Sequence, residues 1–186
     1  MLDEGMLGQI HDAVLPDVFE RHVYSLDKQL AEGQGAENHL DRFFSTWFDI
    51  TESTRQQQRE GIDRIWVRKD SGCVITVEYK ADSTAARTGN IFIETVSVDT
   101  AKKLGWAYTS RAQELLYYIP PLGKAYLVPM SLIKRQLPAW HGKYPTRRIP
   151  NKGRLGDTYH TVGILVALSV FERECQPDVF TIAAGA

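Results

Sequence analysis

The sequence predicts an α/β (α+β) protein with a central mixed sheet flanked by helices. Three observations predict it. Between residues 7 and 48 apolar side chains recur at helical spacing. Val74-Ile75-Thr76-Val77-Glu78-Tyr79-Lys80 alternates with the two-residue period of a strand. From Tyr159 to Leu168 the chain is almost continuously apolar, as in a strand covered on both faces. The 186 residues suffice for one sizeable core, and no linker or internal repeat divides them, so one domain over 1–186 is expected.

Taken in order, Val14, Leu15, Val18, Phe19, His22, Val23, Leu26 and Leu30 mark a first helix over 7–32. Pro16 suits its first turn, and Gly33-Gln34-Gly35 supplies a stop. A second helix is expected from about Glu37, with Leu40, Phe43, Phe44, Trp47 and Phe48 as its apolar stripe. Two strands, 62–67 and 74–80, flank Arg68-Lys69-Asp70-Ser71-Gly72, whose residue types favour a tight turn. A small polar link, 81–90, leads to a third strand over 91–97, and a polar loop follows it. Short strands at 115–119 and 125–128 bracket Pro120-Pro121-Leu122-Gly123. Ser131 is placed to cap a helix over 132–137. Lys143 to Asp157 reads as an irregular basic loop, and Ser169 as the cap of a closing helix over 170–175.

Composition excludes several classes. No apolar run is long enough to span a bilayer. The start Met1-Leu2-Asp3-Glu4 lacks the basic region of a signal peptide. Cys73 and Cys175 fit neither a disulfide framework nor a metal motif, so reduced thiols and a cytoplasmic location are expected. The five histidines make no metal-ligand spacing with one another or with cysteine. No glycine-rich phosphate loop indicates ATP use. Net charge is only −1, but residues 131–156 hold seven basic residues and no acidic one, against 15 basic and 23 acidic elsewhere. That asymmetry suggests a local surface for a polyanion. Trp140, His141 and Tyr144 lie in the same segment, where a ring either packs inward or stacks on an unpaired base.

The chemistry-bearing stretch is the hairpin. Glu78 and Lys80 share one face at the end of an apolar strand, and pairing with 62–67 sets Asp63 opposite that end. Two carboxylates and an ammonium at one sheet end suit a hard divalent cation and a phosphate. Asp63 at a strand start, fourteen residues, then Glu78-Tyr79-Lys80 at the end of the next strand resembles the PD-(D/E)XK nuclease superfamily. Ile62 stands where that pattern has Pro. The resemblance covers about residues 37–128, and the basic part, about 131–186, lies outside the shared core.

The resemblance implies a restriction-endonuclease-like core and a metal-dependent deoxyribonuclease, an endonuclease of restriction, repair or recombination type. Asp63, Glu78 and Lys80 would be catalytic. Asp63, Glu78 and the Tyr79 backbone carbonyl would bind Mg²⁺, with Mn²⁺ able to substitute. Asp41, with Glu37 second, and Glu94 are further metal-shell candidates. Ser83, Thr84, Arg87, Thr88, Asn90, Lys102, Lys103, Arg147, Arg148 and Lys152 are candidate DNA contacts, since backbone contacts use such groups. A homodimer would place two sites on two strands. The alternative is a nucleic-acid-binding module on the same fold with weak or no catalysis.

Overall fold

A two-residue strand, β1 (Tyr24–Ser25), and a 19-residue helix, α1 (Leu26–Phe44), open the computed structural model, which describes residues 24–153 and 156–183. Residues 7–23 of the expected first helix, and Arg154 of the basic segment, lie outside the described residues. α1 does not stop at Gly33-Gln34-Gly35 but runs through it. A Cβ at Gly33 or Gly35 would meet no atom within 4 Å, so neither glycine marks a crowded turn. Each costs the helix about 1 kcal/mol, less than the ~1.5–3 kcal/mol gained by burying each of Leu40 and Phe44.

The helix ends at Phe44, earlier than its apolar stripe suggested. Trp47 is half exposed, and Phe48 opens an edge strand, β2 (Phe48–Glu52). A one-turn helix follows, α2 (Arg55–Arg59), started by a capping box between Thr54 and Gln57. Then come β3 (Arg64–Arg68) and β4 (Val74–Ala81), the expected hairpin, antiparallel with Arg64 opposite Val77. The polar link contains a short helix, α3 (Ala85–Thr88), before β5 (Asn90–Val98) and β6 (Lys103–Leu104). Next are α4 (Trp106–Thr109) and β7 (Glu114–Ile119), a 3₁₀ turn at Pro120–Leu122, and β8 (Lys124–Pro129).

The last third departs most from expectation. The helix α5 (Met130–Lys143) is twice as long as 132–137, begins before Ser131, and continues through Pro138. Met130, Ile133, Leu137 and Trp140 bury one face, which outweighs the hydrogen bond that Pro138 forfeits. The basic stretch is not a loop throughout: Thr146 to Lys152 form β9, paired with β10 (Thr158–Ala167). The helix α6 (Leu168–Cys175) follows β10 without a side-chain cap from Ser169, and β11 (Asp178–Thr181) closes the chain.

Two sheets result. The central one is mixed and six-stranded, in the order β11-β8-β7-β4-β3-β2, with β4 and β7 parallel and the other neighbours antiparallel. The second has the order β1-β9-β10-β5-β6. β5, the third strand expected from sequence, belongs to the second sheet, and β7 takes the place beside β4. Alternate residues of β7 show why. Leu116 and Tyr118 pack with Leu40, Phe44, Trp66 and Val77 on the α1 side. Leu115, Tyr117 and Ile119 pack with Ile91, Ile93, Ile164, Val166 and Phe171 on the other. The central sheet is covered on both faces, by α1 and by the second sheet with α5 and α6. β10, expected to be buried throughout, is so only at Gly163, Ile164 and Val166, because its first half meets the exposed residues of β9.

One packing contact has a measurable pH signature. Burial, with Asp178 nearby, pushes the Glu114 carboxyl up from 4.5 to about 7. The unfolded chain ionises at the lower value, so this group subtracts stability progressively as pH rises between the two. Urea midpoints measured across that window are expected to fall for the wild type relative to Glu114→Gln, with the gap constant at higher pH.

Candidate functional site

The hairpin register assembles the site. The Asp63 N–H donates to the carbonyl of Val77 (2.9 Å), the residue paired with Arg64, so the ladder ends with Asp63 and Arg64 both against Val77 and Asp63 beside the functional end of β4. The Asp63 carboxylate then turns back onto the partner strand: Oδ2 accepts the Tyr79 N–H at 2.8 Å. Glu78 and Lys80, two residues apart on β4, share a face and form an ion pair, Nζ to Oε1 at 2.5 Å. Nζ also donates to the Tyr79 carbonyl at 3.0 Å. Asp63, Glu78, the Tyr79 carbonyl and Lys80 therefore meet at one end of the central sheet.

Charge is unbalanced there. Burial is the main force raising the Glu78 carboxyl above its ordinary value; Lys80 opposes it, while Asp63 and Glu94 add to it. Burial would lower the Lys80 ammonium, but Glu78, Asp63 and Glu94 together outweigh it and hold Lys80 above the usual lysine value. Glu94, on β5 of the other sheet, is itself raised by burial, with Lys80 opposing. Its Oε1 accepts the Trp106 N–H at 3.4 Å. Three carboxylates thus act on one ammonium.

The helix acids separate. Arg64, next to Asp63 and only 3% exposed, donates to Asp41 and to Glu37 at 2.9 Å each, and to the Asp63 carbonyl at 3.0 Å. Asp41 also accepts the Tyr79 hydroxyl, which in turn accepts from the Trp66 indole, both at 2.9 Å. Tyr79 points away from the Glu78–Lys80 face, so Asp41 is held on the α1 side of the sheet and is not brought to the other carboxylates. Glu37, the second choice from sequence, is the helix acid that responds to the site. Burial raises its carboxyl most, Arg64 opposes, and Asp63 and Lys80 both act on it.

Of the candidate DNA contacts, Ser83, Thr84, Arg87, Thr88 and Asn90 lie on or beside α3, immediately after β4, and are exposed or half-buried. Part of their polarity is spent locally: Thr88 Oγ1 donates to the Thr84 carbonyl and the Asn90 amide to the Thr88 carbonyl. Lys102 and Lys103 are exposed at β6. Arg147, Arg148 and Lys152 lie on β9, which β10 separates from β5. Arg148 is paired with Asp99 at 2.6 Å. The basic segment is therefore split between α5 and β9 and does not form one loop surface. Trp140 is fully buried and donates to Glu174, which settles its role as packing.

Sequence reasoning missed a wall of the site. Ser110, fully buried, donates to the Gly61 carbonyl at 2.7 Å, and Lys134 on α5 donates to the Ser110 carbonyl at 2.6 Å. These residues are 49 and 24 positions apart, and no local pattern links them. Gly61 itself carries a readable signal, a glycine just ahead of the Asp strand. Its φ is +72°, and an added Cβ would lie 2.7 Å from Ser110 Cα and 2.9 Å from Glu78 Oε2.

That same Glu78 oxygen is buried and has no hydrogen-bond partner. A buried, unpartnered carboxylate oxygen beside a second carboxylate and a backbone carbonyl is an all-oxygen donor set that fits a hard divalent cation. Among the described residues, no three His, Cys, Asp or Glu side chains already form a metal cage; Lys80 supplies the counter-charge. No described helix is long and apolar enough to cross a membrane. Cys73 is an exposed free thiol and Cys175 a buried one.

Gly61→Ala is expected to destabilise the fold by about 1–3 kcal/mol, through positive φ and the clash with Ser110 and Glu78. Gly35→Ala, on α1 with open space around it, is expected to stabilise it by up to about 1 kcal/mol. Paired urea denaturation curves measure both. Compared with protein-family models, curated proteins and solved structures, the chain matches none.

Proposed function

We propose that the chain is a metal-dependent nuclease that hydrolyses DNA phosphodiester bonds, an endonuclease with a PD-(D/E)XK-like core. The observation that carries this reading is the meeting of Asp63, Glu78 and Lys80 at one sheet end, with Glu78 Oε2 buried and unpartnered. The hairpin with α1 on one face and the parallel neighbour β7 supports a restriction-endonuclease-like core.

Asp63, Glu78 and the Tyr79 carbonyl would hold Mg²⁺ or Mn²⁺, which when bound lowers the pKa of a water and offsets phosphate charge. The chain's own residues do the rest. The carboxylates of Asp63 and Glu78 have their positions set by the β3–β4 ladder, so little reorganisation precedes reaction. Lys80, whose ammonium Glu78, Asp63 and Glu94 favour, would orient the attacking water and donate hydrogen bonds to the phosphate. Arg64 anchors the backbone of Asp63 to α1 and so keeps the Asp strand in register.

One observation favours a second reading, a binding module that does not cleave. Glu78 is already ion-paired with Lys80, so its charge is partly satisfied without a cation.

Plasmid, linear, single-stranded and branched DNA incubated with the protein in Mg²⁺ or Mn²⁺ separate the two. Cleavage is expected, with Lys80→Ala and Glu78→Ala each slower by about 10²–10³-fold. No cleavage of any substrate with either metal, or wild-type rates in Lys80→Ala, overturns the nuclease reading. Mg²⁺ is also expected to raise the thermal midpoint of the wild type but not of Glu78→Gln, because only the folded carboxylate pair binds it.

A further inference from the structure

Outside the triad, two exposed rings are locked together. Tyr108, on α4, is 42% exposed, and His141 is exposed in the last turn of α5. The Tyr108 hydroxyl lies 2.7 Å from His141 Nε2. The ring centroids are 6.2 Å apart and the planes differ by 17°. A hydrogen bond from the tip of the phenol to the edge of the imidazole, at that separation, sets the rings end to end with their planes nearly parallel. They do not lie face over face. The pair therefore presents an exposed aromatic surface longer than either ring.

This surface is held in advance. Trp106 and Ala107 are buried and anchor α4, and the hydrogen bond to His141 restrains the Tyr108 rotamer. It also belongs to the wall of the site. Trp106, two residues before Tyr108, donates its N–H to Glu94, and Ser110, two residues after it, holds the Gly61 carbonyl beside Glu78. α5, which carries His141, also carries Lys134, Arg135 and Lys143 and no acidic residue, although Glu174 of α6 reaches it at Trp140. A single exposed tyrosine carries no meaning. An exposed, hydrogen-bonded pair of near-parallel rings, one of them on a basic helix, in the wall of a phosphate-handling site is the combination that receives a nucleobase, whose flat face stacks on rings while cations hold its backbone.

We propose that Tyr108 and His141 form a stacking platform for an unpaired nucleobase of the DNA strand engaged at the site. This rests on the nuclease reading. A paired base has both faces covered by its neighbours, so the platform selects single-stranded, frayed or branched DNA over continuous duplex.

The test uses the full chain in EDTA, where no strand is cut. Labelled single-stranded, blunt-duplex and overhanging-duplex DNA are titrated, with a single-stranded RNA of the same sequence, and 2-aminopurine is placed at unpaired positions. The expected result is tighter binding of single-stranded and overhanging DNA than of blunt duplex, with quenching of the unpaired 2-aminopurine. Tyr108→Ala is expected to remove the quenching and weaken single-strand binding by about five- to thirty-fold, and to weaken blunt-duplex binding by less. Tyr108→Phe keeps the ring and is expected to retain most of the quenching, and His141→Ala to lose part of it. RNA bound and quenched as strongly as DNA supports the platform and shows that it reads the base rather than the sugar. Unquenched 2-aminopurine in the wild-type complex, or wild-type single-strand binding by both Tyr108→Ala and His141→Ala, overturns the proposal. Quenching without cleavage in Mg²⁺ or Mn²⁺ overturns the nuclease reading and leaves the platform standing. Cleavage with no single-strand preference does the reverse.

Discussion

The register between β3 and β4 is the constraint on which the rest of the site depends. Two hydrogen bonds set it at the functional end: the Asp63 N–H to the Val77 carbonyl, and the Tyr79 N–H to the Asp63 carboxylate. The second makes the carboxylate a stand-in for a ladder carbonyl, so the side chain is oriented by the same geometry that pairs the strands. A one-residue slip would turn Glu78 and Lys80 to the α1 face and put Tyr79 in their place. Trp66 and Tyr79, buried against Phe44 and α1, oppose such a slip because it would expose both rings.

Around that register the charges form two linked groups. On the α1 face a buried arginine gathers Glu37, Asp41 and the Asp63 carbonyl. On the other face Lys80 gathers Glu78, Asp63 and Glu94. Asp63 belongs to both, by its backbone to Arg64 and by its charge to Lys80. The acids outnumber the bases on each side; burial raises the carboxyls of Glu37, Glu78 and Glu94, and the charge of Asp63 adds to it at Glu37 and Glu78. A site of this kind gains from any cation that enters it, and the orphaned Glu78 oxygen is where that gain concentrates.

How much was legible varied with the range of the interactions involved. The hairpin, the third strand, the strands around Pro120 and Pro121, and the convergence of Asp63 with Glu78 and Lys80 followed from two-residue alternation and turn chemistry. Both are local. The capping box of Thr54 and Gln57 is an equally local signal, but it went unread and the polar composition of 51–60 concealed the helix it starts. The end of α1 was not readable, since Trp47 and Phe48 continue its apolar spacing and only the pairing of β2 with β3 ends it. The basic stretch from Thr146 to Lys152 has no strand pattern of its own and is extended because β10 pairs with it. Asp41 and Glu37 lie on one helix face, one turn apart, and how Arg64 holds each of them was not legible from that spacing.

By itself the sequence determined the residue types at the sheet end and the local periodicity that brings Asp63, Glu78 and Lys80 together, because strand alternation and a five-residue turn need no distant partner. Only the tertiary structure decided what surrounds them. β7 rather than β5 lies beside β4, since the alternating residues of β7 bury on both faces. Ser110 and Lys134 wall the site, and Tyr108 meets His141, through contacts between residues 24 to 49 positions apart. Such contacts depend on how buried faces pack, and packing is a property of the whole chain rather than of any window within it.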